Sequence, residues 1–110
     1  MTLAPDGTYY ELVGPEGAPV VVLIHGLGLN HECWQWMIPA LMHRYRVLTY
    51  DLYGHGGSAA PPEEPSLSLF SEQLSDLLDY CDVSQAAIAG FSLGGMIARR
   101  FAQDLSLIHI

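Results

Sequence analysis

Gly90-Phe91-Ser92-Leu93-Gly94 stands between two segments of different periodicity. Before it, Ala86-Ala87-Ile88-Ala89 is a short apolar run that predicts a strand over 86–89. After it, the spacing of Met96, Ile97, Arg99, Arg100 and Phe101 predicts a helix over 93–103. A G-x-S-x-G pattern at a strand-to-helix junction sets its serine on a turn too sharp for side chains two residues to either side, so glycine stands at both, here Gly90 and Gly94. Ser92 is then a candidate nucleophile above the carboxyl edge of a sheet. The N–H of Leu93, at the start of the helix, lacks an intrahelical acceptor and can donate to an oxyanion. The five-residue pattern alone is weak, and a glycine-rich helix start capped by serine reads the same way. The strand before it and the helix after it give it force.

Val20–Ile24 is continuously apolar rather than alternating, as in a parallel strand buried on both faces. It runs into His25-Gly26-Leu27-Gly28. Glycines on both sides of Leu27 let such a loop turn inward and offer the Leu27 N–H as a second oxyanion donor, with His25 orienting the loop rather than carrying protons. A plain strand-ending glycine turn with a hydrogen-bonded histidine is the alternative. Aromatic and β-branched residues predict a strand over 8–13, ended by Gly14-Pro15. Trp34, Met37, Ile38, Leu41 and Met42 recur at helical spacing, and Pro39 fits only a first turn, so a helix is predicted over 38–43. Arg46–Tyr50 reads as another strand, ending at Asp51 and opening into Leu52-Tyr-Gly-His-Gly-Gly-Ser58. That loop lacks the Gly-Lys-Ser/Thr of a phosphate loop and the G-x-G-x-x-G of a dinucleotide site. Asp51 is therefore read as tying loops together and His55 as structural. Tyr9, Tyr10, Trp34 and Trp36 are read as core or pocket wall. Leu67, Phe70, Leu74, Leu77, Leu78 and Cys81 mark an amphipathic helix over 68–81 with Glu72, Asp76 and Asp79 outside. The order strand, strand, helix, strand, helix, strand, helix predicts an α/β fold with parallel strands.

A length of 110 residues suits one small domain, and 50% hydrophobic against 15% charged residues excludes disorder for most of it. Four Lys+Arg against twelve Asp+Glu give a net charge of −8, which argues against nucleic acid and anionic membranes as partners. The longest aliphatic run, Val20–Ile24, is far too short for a bilayer, and the first residues carry neither a basic nor an apolar leader region. Cys33 and Cys81 have no metal-ligand spacing. They are read as reduced core thiols, which with the missing leader predicts a cytoplasmic protein without a metal. The mean hydropathy of +0.23 is high for so short a chain. Either the chain packs against a partner or it is a piece of a larger core. Leu105-Ser-Leu-Ile-His-Ile110 breaks register and looks like a translated sequencing-adapter end, so the domain is read as 1–104 and 105–110 as a non-native tail. An ordinary apolar continuation of the helix is the alternative.

The runs 25–28, 51–58 and 90–95, in this order, resemble the α/β-hydrolase superfamily. The opening Asp6-Gly-Thr-Tyr-Tyr-Glu with Gly14 fits its first hairpin, and the resemblance covers about residues 6–104. Trp36, 51–58 and Ser92-Leu-Gly-Gly-Met-Ile97 are similar to bacterial esterases and 3-oxoadipate enol-lactonase-like members. The resemblance implies a mostly parallel sheet with flanking helices and a serine hydrolase that forms an acyl-enzyme on Ser92. It further implies oxyanion amides at Leu27 and Leu93, supported by His25, Gly26, Gly28, Asp51, Gly90 and Gly94. The implied substrate is a small-molecule ester or lactone, and no cofactor is needed. One departure stands out. The family order is nucleophile, acid, histidine, yet after Ser92 only Asp104 and His109 remain, with Asp104 on the helix that follows the serine. The chain thus resembles the N-terminal half of the fold, truncated after that helix, and the fragment alone is expected to be inactive. Carbon–carbon bond hydrolases remain an alternative, although their glycine-proline-rich loop differs from Gly28-Leu-Asn-His31. So do haloperoxidases or perhydrolases, aminopeptidases, and a non-catalytic binding module of the same fold. Haloalkane dehalogenases and epoxide hydrolases carry an aspartate where Ser92 stands.

Overall fold

In the computed structural model, which describes residues 2–105, strand β1 (Tyr10–Val13) leads to β2 (Val20–Ile24), a 3-10 turn (His31–Trp34) and the short helix α1 (Ile38–Leu41). Strand β3 (Arg46–Tyr50), helix α2 (Leu67–Tyr80), strand β4 (Ala87–Gly90) and helix α3 (Leu93–Leu105) follow. The sheet order is β1-β3-β2-β4, with β2 parallel to both β3 and β4 and β1 antiparallel to β3. A strand with parallel neighbours on both sides is covered on both faces. Accordingly Val22, Leu23 and Ile24 are all buried. Side chains alternate across the pleat. Val22, Ile24, Leu48, Tyr50 and Ile88 join one core with Leu69, Phe70, Leu74, Leu77 and Leu78 of α2 and Ile97, Ala98 and Phe101 of α3. Leu23, Val47 and Thr49 alternate to the opposite face and are also buried. The 3-10 turn and α1 lie against β3. On β4, by contrast, Ala87 and Ala89 are exposed.

The spacing rules hold element by element, with shifts that have local causes. The expected 68–81 helix begins one residue earlier. Ser66 is its cap, the hydroxyl accepting the Leu69 N–H at 3.0 Å. Pro39 sits in the first turn of α1, as its ring requires. That helix stops at Leu41 rather than 43, because the Leu41 carbonyl takes both the Arg44 and Tyr45 N–H groups and closes a turn. The expected strand over 8–13 is shortened to Tyr10–Val13. Tyr9 forms an isolated bridge to Leu3 and gives its N–H to the Ser58 hydroxyl, while the Thr8 N–H goes to Asp6 and its hydroxyl accepts a hydrogen bond from Gln73. Strand β4 runs one residue later than 86–89.

Two expectations about individual residues are corrected. Cys33 is exposed on the 3-10 turn, not in the core, and Cys81 is half-buried; both are free thiols. Trp36, expected in the core or on a pocket wall, is 87% exposed. His109 and residues 106–110 lie outside the described residues, while Leu105 is the last residue of α3. Among the described residues no helix is long and apolar enough to cross a membrane.

Candidate active site

Ser92 occupies the junction of β4 and α3 with φ at +57°, in the left-handed region that side-chain-bearing residues rarely adopt. Its neighbours explain the sequence spacing. A Cβ on Gly90 would run into the backbone of Gly94 and Gly95, and one on Gly94 into the carbonyls of Ile24 and His25. The helix therefore starts directly against the ends of β4 and β2. The Phe91 N–H donates to the Ile24 carbonyl at 3.0 Å and fastens the turn to β2. The Ser92 carbonyl accepts the N–H groups of Gly95 and Met96, and the Gly94 N–H goes to Phe91. The Leu93 N–H, first in α3, precedes these bonded amides.

The loop after β2 lies beside this turn. A Cβ on Gly26 would stand 3.5 Å from the Ser92 Cβ and 3.1 Å from the Phe91 carbonyl oxygen. The Leu29 N–H donates to the Gly26 carbonyl at 3.1 Å, and Gly28 has φ of +79°. These are the marks of a type II turn with Leu27 and Gly28 at its centre. Gly28 has open space around it, so its backbone conformation, not crowding, is what calls for glycine. Leu27 is 74% exposed and Phe91 58% exposed, so apolar side chains stand bare around Ser92.

A hydrogen-bonded framework joins this loop to the 51–58 loop. Asp51 is fully buried, yet its carboxylate accepts the Gly57 N–H at 2.8 Å, the His31 N–H at 2.7 Å and the His31 ring Nδ1 at 2.8 Å. Burial pushes its pKa up, but the bonds from Gly57 and His31 outweigh that and hold the carboxyl below the usual range. His25 is fully buried. Its Nδ1 donates to the Gly26 carbonyl at 2.7 Å, which leaves Nε2 to accept the Leu52 N–H at 2.9 Å. Burial pushes the His25 pKa down, which favours the neutral ring. His55 is engaged in the same manner, Nδ1 with the Tyr53 carbonyl at 3.0 Å and Nε2 with the Gly28 N–H at 3.1 Å.

Two residues of this framework escape sequence reading. Gln73 is fully buried. Its amide nitrogen donates to the Thr8 hydroxyl at 3.0 Å and the Asp51 carbonyl at 3.1 Å, and its oxygen accepts the Tyr53 N–H at 3.1 Å. The available signal was its position, three residues after Phe70 and four before Leu77, on the apolar stripe of α2. His31 left no such signal; only the fold brings it to Asp51. Asp104 is not near Ser92. It lies in the last turn of α3, about 18 Å along the helix axis, and binds Arg100 at 3.1 and 3.2 Å. Among the described residues no group of three or more His, Cys, Asp or Glu is placed to hold a metal.

A sheet of this order with a glycine-flanked, left-handed serine at the β4–α3 junction defines a class. The alpha/beta hydrolase fold profile matches residues 19–106, and the chain belongs to that family. It is 40% identical over 88 residues to 3-oxoadipate enol-lactonase 1 of Acinetobacter baylyi, a match covering 80% of this chain and 33% of that protein. Its structure resembles a hydrolase from Pseudomonas aeruginosa, with a TM-score of 0.88 and 34% identity over 93% of this chain and 39% of that one. It also resembles the enol-lactonase from Burkholderia xenovorans, with a TM-score of 0.88 and 30% identity over 93% of this chain and 40% of that one. The chain thus spans about a third to two fifths of the length of these proteins.

Proposed function

We propose that this chain supplies the nucleophile and the oxyanion-binding amides of a serine hydrolase that cleaves a carboxylic ester or lactone. The observation that carries the reading is the +57° φ of Ser92 at a strand-to-helix turn. A left-handed conformation costs a non-glycine residue about 1–2 kcal/mol. Such strain persists only where the surroundings over-determine it, and it gathers at functional sites. In the reaction the Ser92 oxygen bonds to the acyl carbon and its proton passes to a general base. The carbonyl oxygen becomes an oxyanion held by the Leu27 and Leu93 N–H groups. The C–O bond then breaks as the leaving oxygen takes a proton, and water releases the acyl group.

The base and its acid partner are assigned to a parent protein, meaning this chain extended to the length of its relatives. His25 and His55 have both ring nitrogens engaged, and Asp104 is held by Arg100. The ester or lactone class is favoured by the enol-lactonase names among the relatives. A fluorophosphonate probe tests the reading: the parent should be labelled and the Ser92→Ala variant should not. In the serine protease where it was measured, loss of the nucleophile costs roughly 10⁶ in turnover. Esterase turnover that survives Ser92→Ala at the unmodified rate overturns the proposal.

A further inference from the structure

The 25–28 and 51–58 loops clasp each other through two histidines used in mirror fashion. His25, on the first loop, accepts the Leu52 N–H of the second; His55, on the second, accepts the Gly28 N–H of the first. The rings lie 5.1 Å apart. Each ring donates from Nδ1 to a carbonyl of its own loop, which fixes the tautomer and leaves a lone pair at Nε2. The His25 bond is buried and secures the strand end. The His55 bond falls on the centre of the Gly26–Leu29 turn.

That place matters because type I and type II turns differ by a half-rotation of their central peptide, here the one joining Leu27 to Gly28. Glycine at the third position tolerates either state, so the turn alone does not choose. An acceptor facing the Gly28 N–H does choose, because the rotated peptide would present the Leu27 carbonyl to the Nε2 lone pair instead. The loop that carries His55 is itself tied down by hydrogen bonds. The His55 N–H donates to Leu52, its carbonyl accepts the Ser58 N–H, and the Gly57 N–H is fastened to Asp51. Ser58 bonds both the Asp51 carbonyl, at 2.5 Å, and the Tyr9 N–H, at 2.9 Å.

We propose that His55 is a positioning residue for the reaction: by accepting the Gly28 N–H it fixes the state of the turn and ties its tip to the 51–58 loop, which restrains the backbone segment that carries the Leu27 N–H beside Ser92. The inference rests on the reading of Leu27 as an oxyanion donor. Removing such a donor costs about 10²–10³ in turnover, and loosening one costs less.

Methionine and glutamine at position 55 have similar length and volume, but only glutamine offers a strong acceptor. In the parent protein His55→Met should lower kcat by about 10–10² with KM little changed, while His55→Gln stays within about threefold of the unmodified rate. Thermal unfolding of both variants checks that they are folded. Equal kcat in the two folded variants overturns the positioning role, as does a loss confined to KM. Should His55→Met not fold, a His55→Gln variant that folds but loses as much as 10² in kcat also overturns it, and one near the unmodified rate supports it. Ser92→Ala run alongside separates the two proposals. If Ser92→Ala abolishes turnover and the position-55 pair do not differ, only the positioning role fails. If Ser92→Ala keeps turnover, the hydrolase reading itself fails.

Discussion

Ser92 holds a backbone conformation that glycine alone adopts freely, and the consequence is measurable. At an ordinary position alanine stabilises relative to glycine, because glycine loses more freedom on folding. At a left-handed position the steric term reverses the order. In the parent protein Ser92→Gly should be more stable than Ser92→Ala by about 1 kcal/mol in urea unfolding, and both should be inactive. The opposite order would mean that the turn relaxes out of the left-handed region in solution. Asp51 and His25 set the acid behaviour. The unfolded chain protonates its histidines near about pH 6.5, whereas buried His25 resists until lower pH, so stability falls as pH drops below about 6.5. Asp51 adds a second decline. Its stabilisation is complete above about pH 3.9, the ordinary aspartate value, and is lost as pH falls through the lower folded value. His25→Gln should remove the upper part of this decline and Asp51→Asn the lower, read from urea midpoints against pH. Curves unchanged in shape would refute the assignment. Much at this scale was legible: the glycines at 90 and 94 and the tying role of Asp51 follow from spacing and chemistry. His31 was not, because its bond to Asp51 exists only once twenty residues have folded back on themselves.

Among the elements, a continuous apolar run located β2, and a 3.6-residue period located α2, because those patterns report burial on two faces and on one. The misjudged boundaries lie where side chains take over from the backbone pattern. The Asp6 carboxylate takes the Thr8 N–H at the start of β1, and Leu41 closes α1 early. No periodicity encodes such contacts. The sheet also buries a flaw that sequence cannot reveal. Tyr50, fully buried on β3, has no hydrogen-bond partner for its hydroxyl among the described residues, and burial drives its pKa upward. An unpaired buried hydroxyl costs about 1–3 kcal/mol, and deleting it leaves the ring packing intact. Tyr50→Phe should therefore be neutral or stabilising by up to about 1 kcal/mol in urea unfolding. A loss of that size would instead show that the hydroxyl is bonded, in the parent protein, to a group beyond the described residues.

For the whole molecule, two quantities pull in different directions. The radius of gyration of 12.6 Å is that of a collapsed domain, close to the roughly 13 Å expected for its length. The surface is less ordinary. β4 stands at the edge of the sheet with Ala87 and Ala89 bare, so its outer row of N–H and C=O groups faces solvent beside an apolar strand. Such an edge is a template for pairing with another chain. Near Ser92, Leu27 at 74%, Phe91 at 58% and Met96 at 56% exposure add apolar surface. The net charge of −8 opposes association at low ionic strength, but screening confines that repulsion to about 10 Å at 0.1 M salt. Contact pairing and apolar burial act at shorter range and should win. The 110-residue chain produced alone is thus expected to be compact by circular dichroism yet dimeric or larger in size-exclusion chromatography with light scattering, increasingly so as salt is raised. It should show no Ser92-dependent turnover of p-nitrophenyl acetate, since the ring nitrogens of His25 and His55 are both engaged and the base is assigned to the rest of the parent. A cooperatively unfolding monomer whose esterase activity disappears in Ser92→Ala would show that the chain carries a complete catalytic apparatus, and would overturn the assignment of base and acid to the rest of the parent.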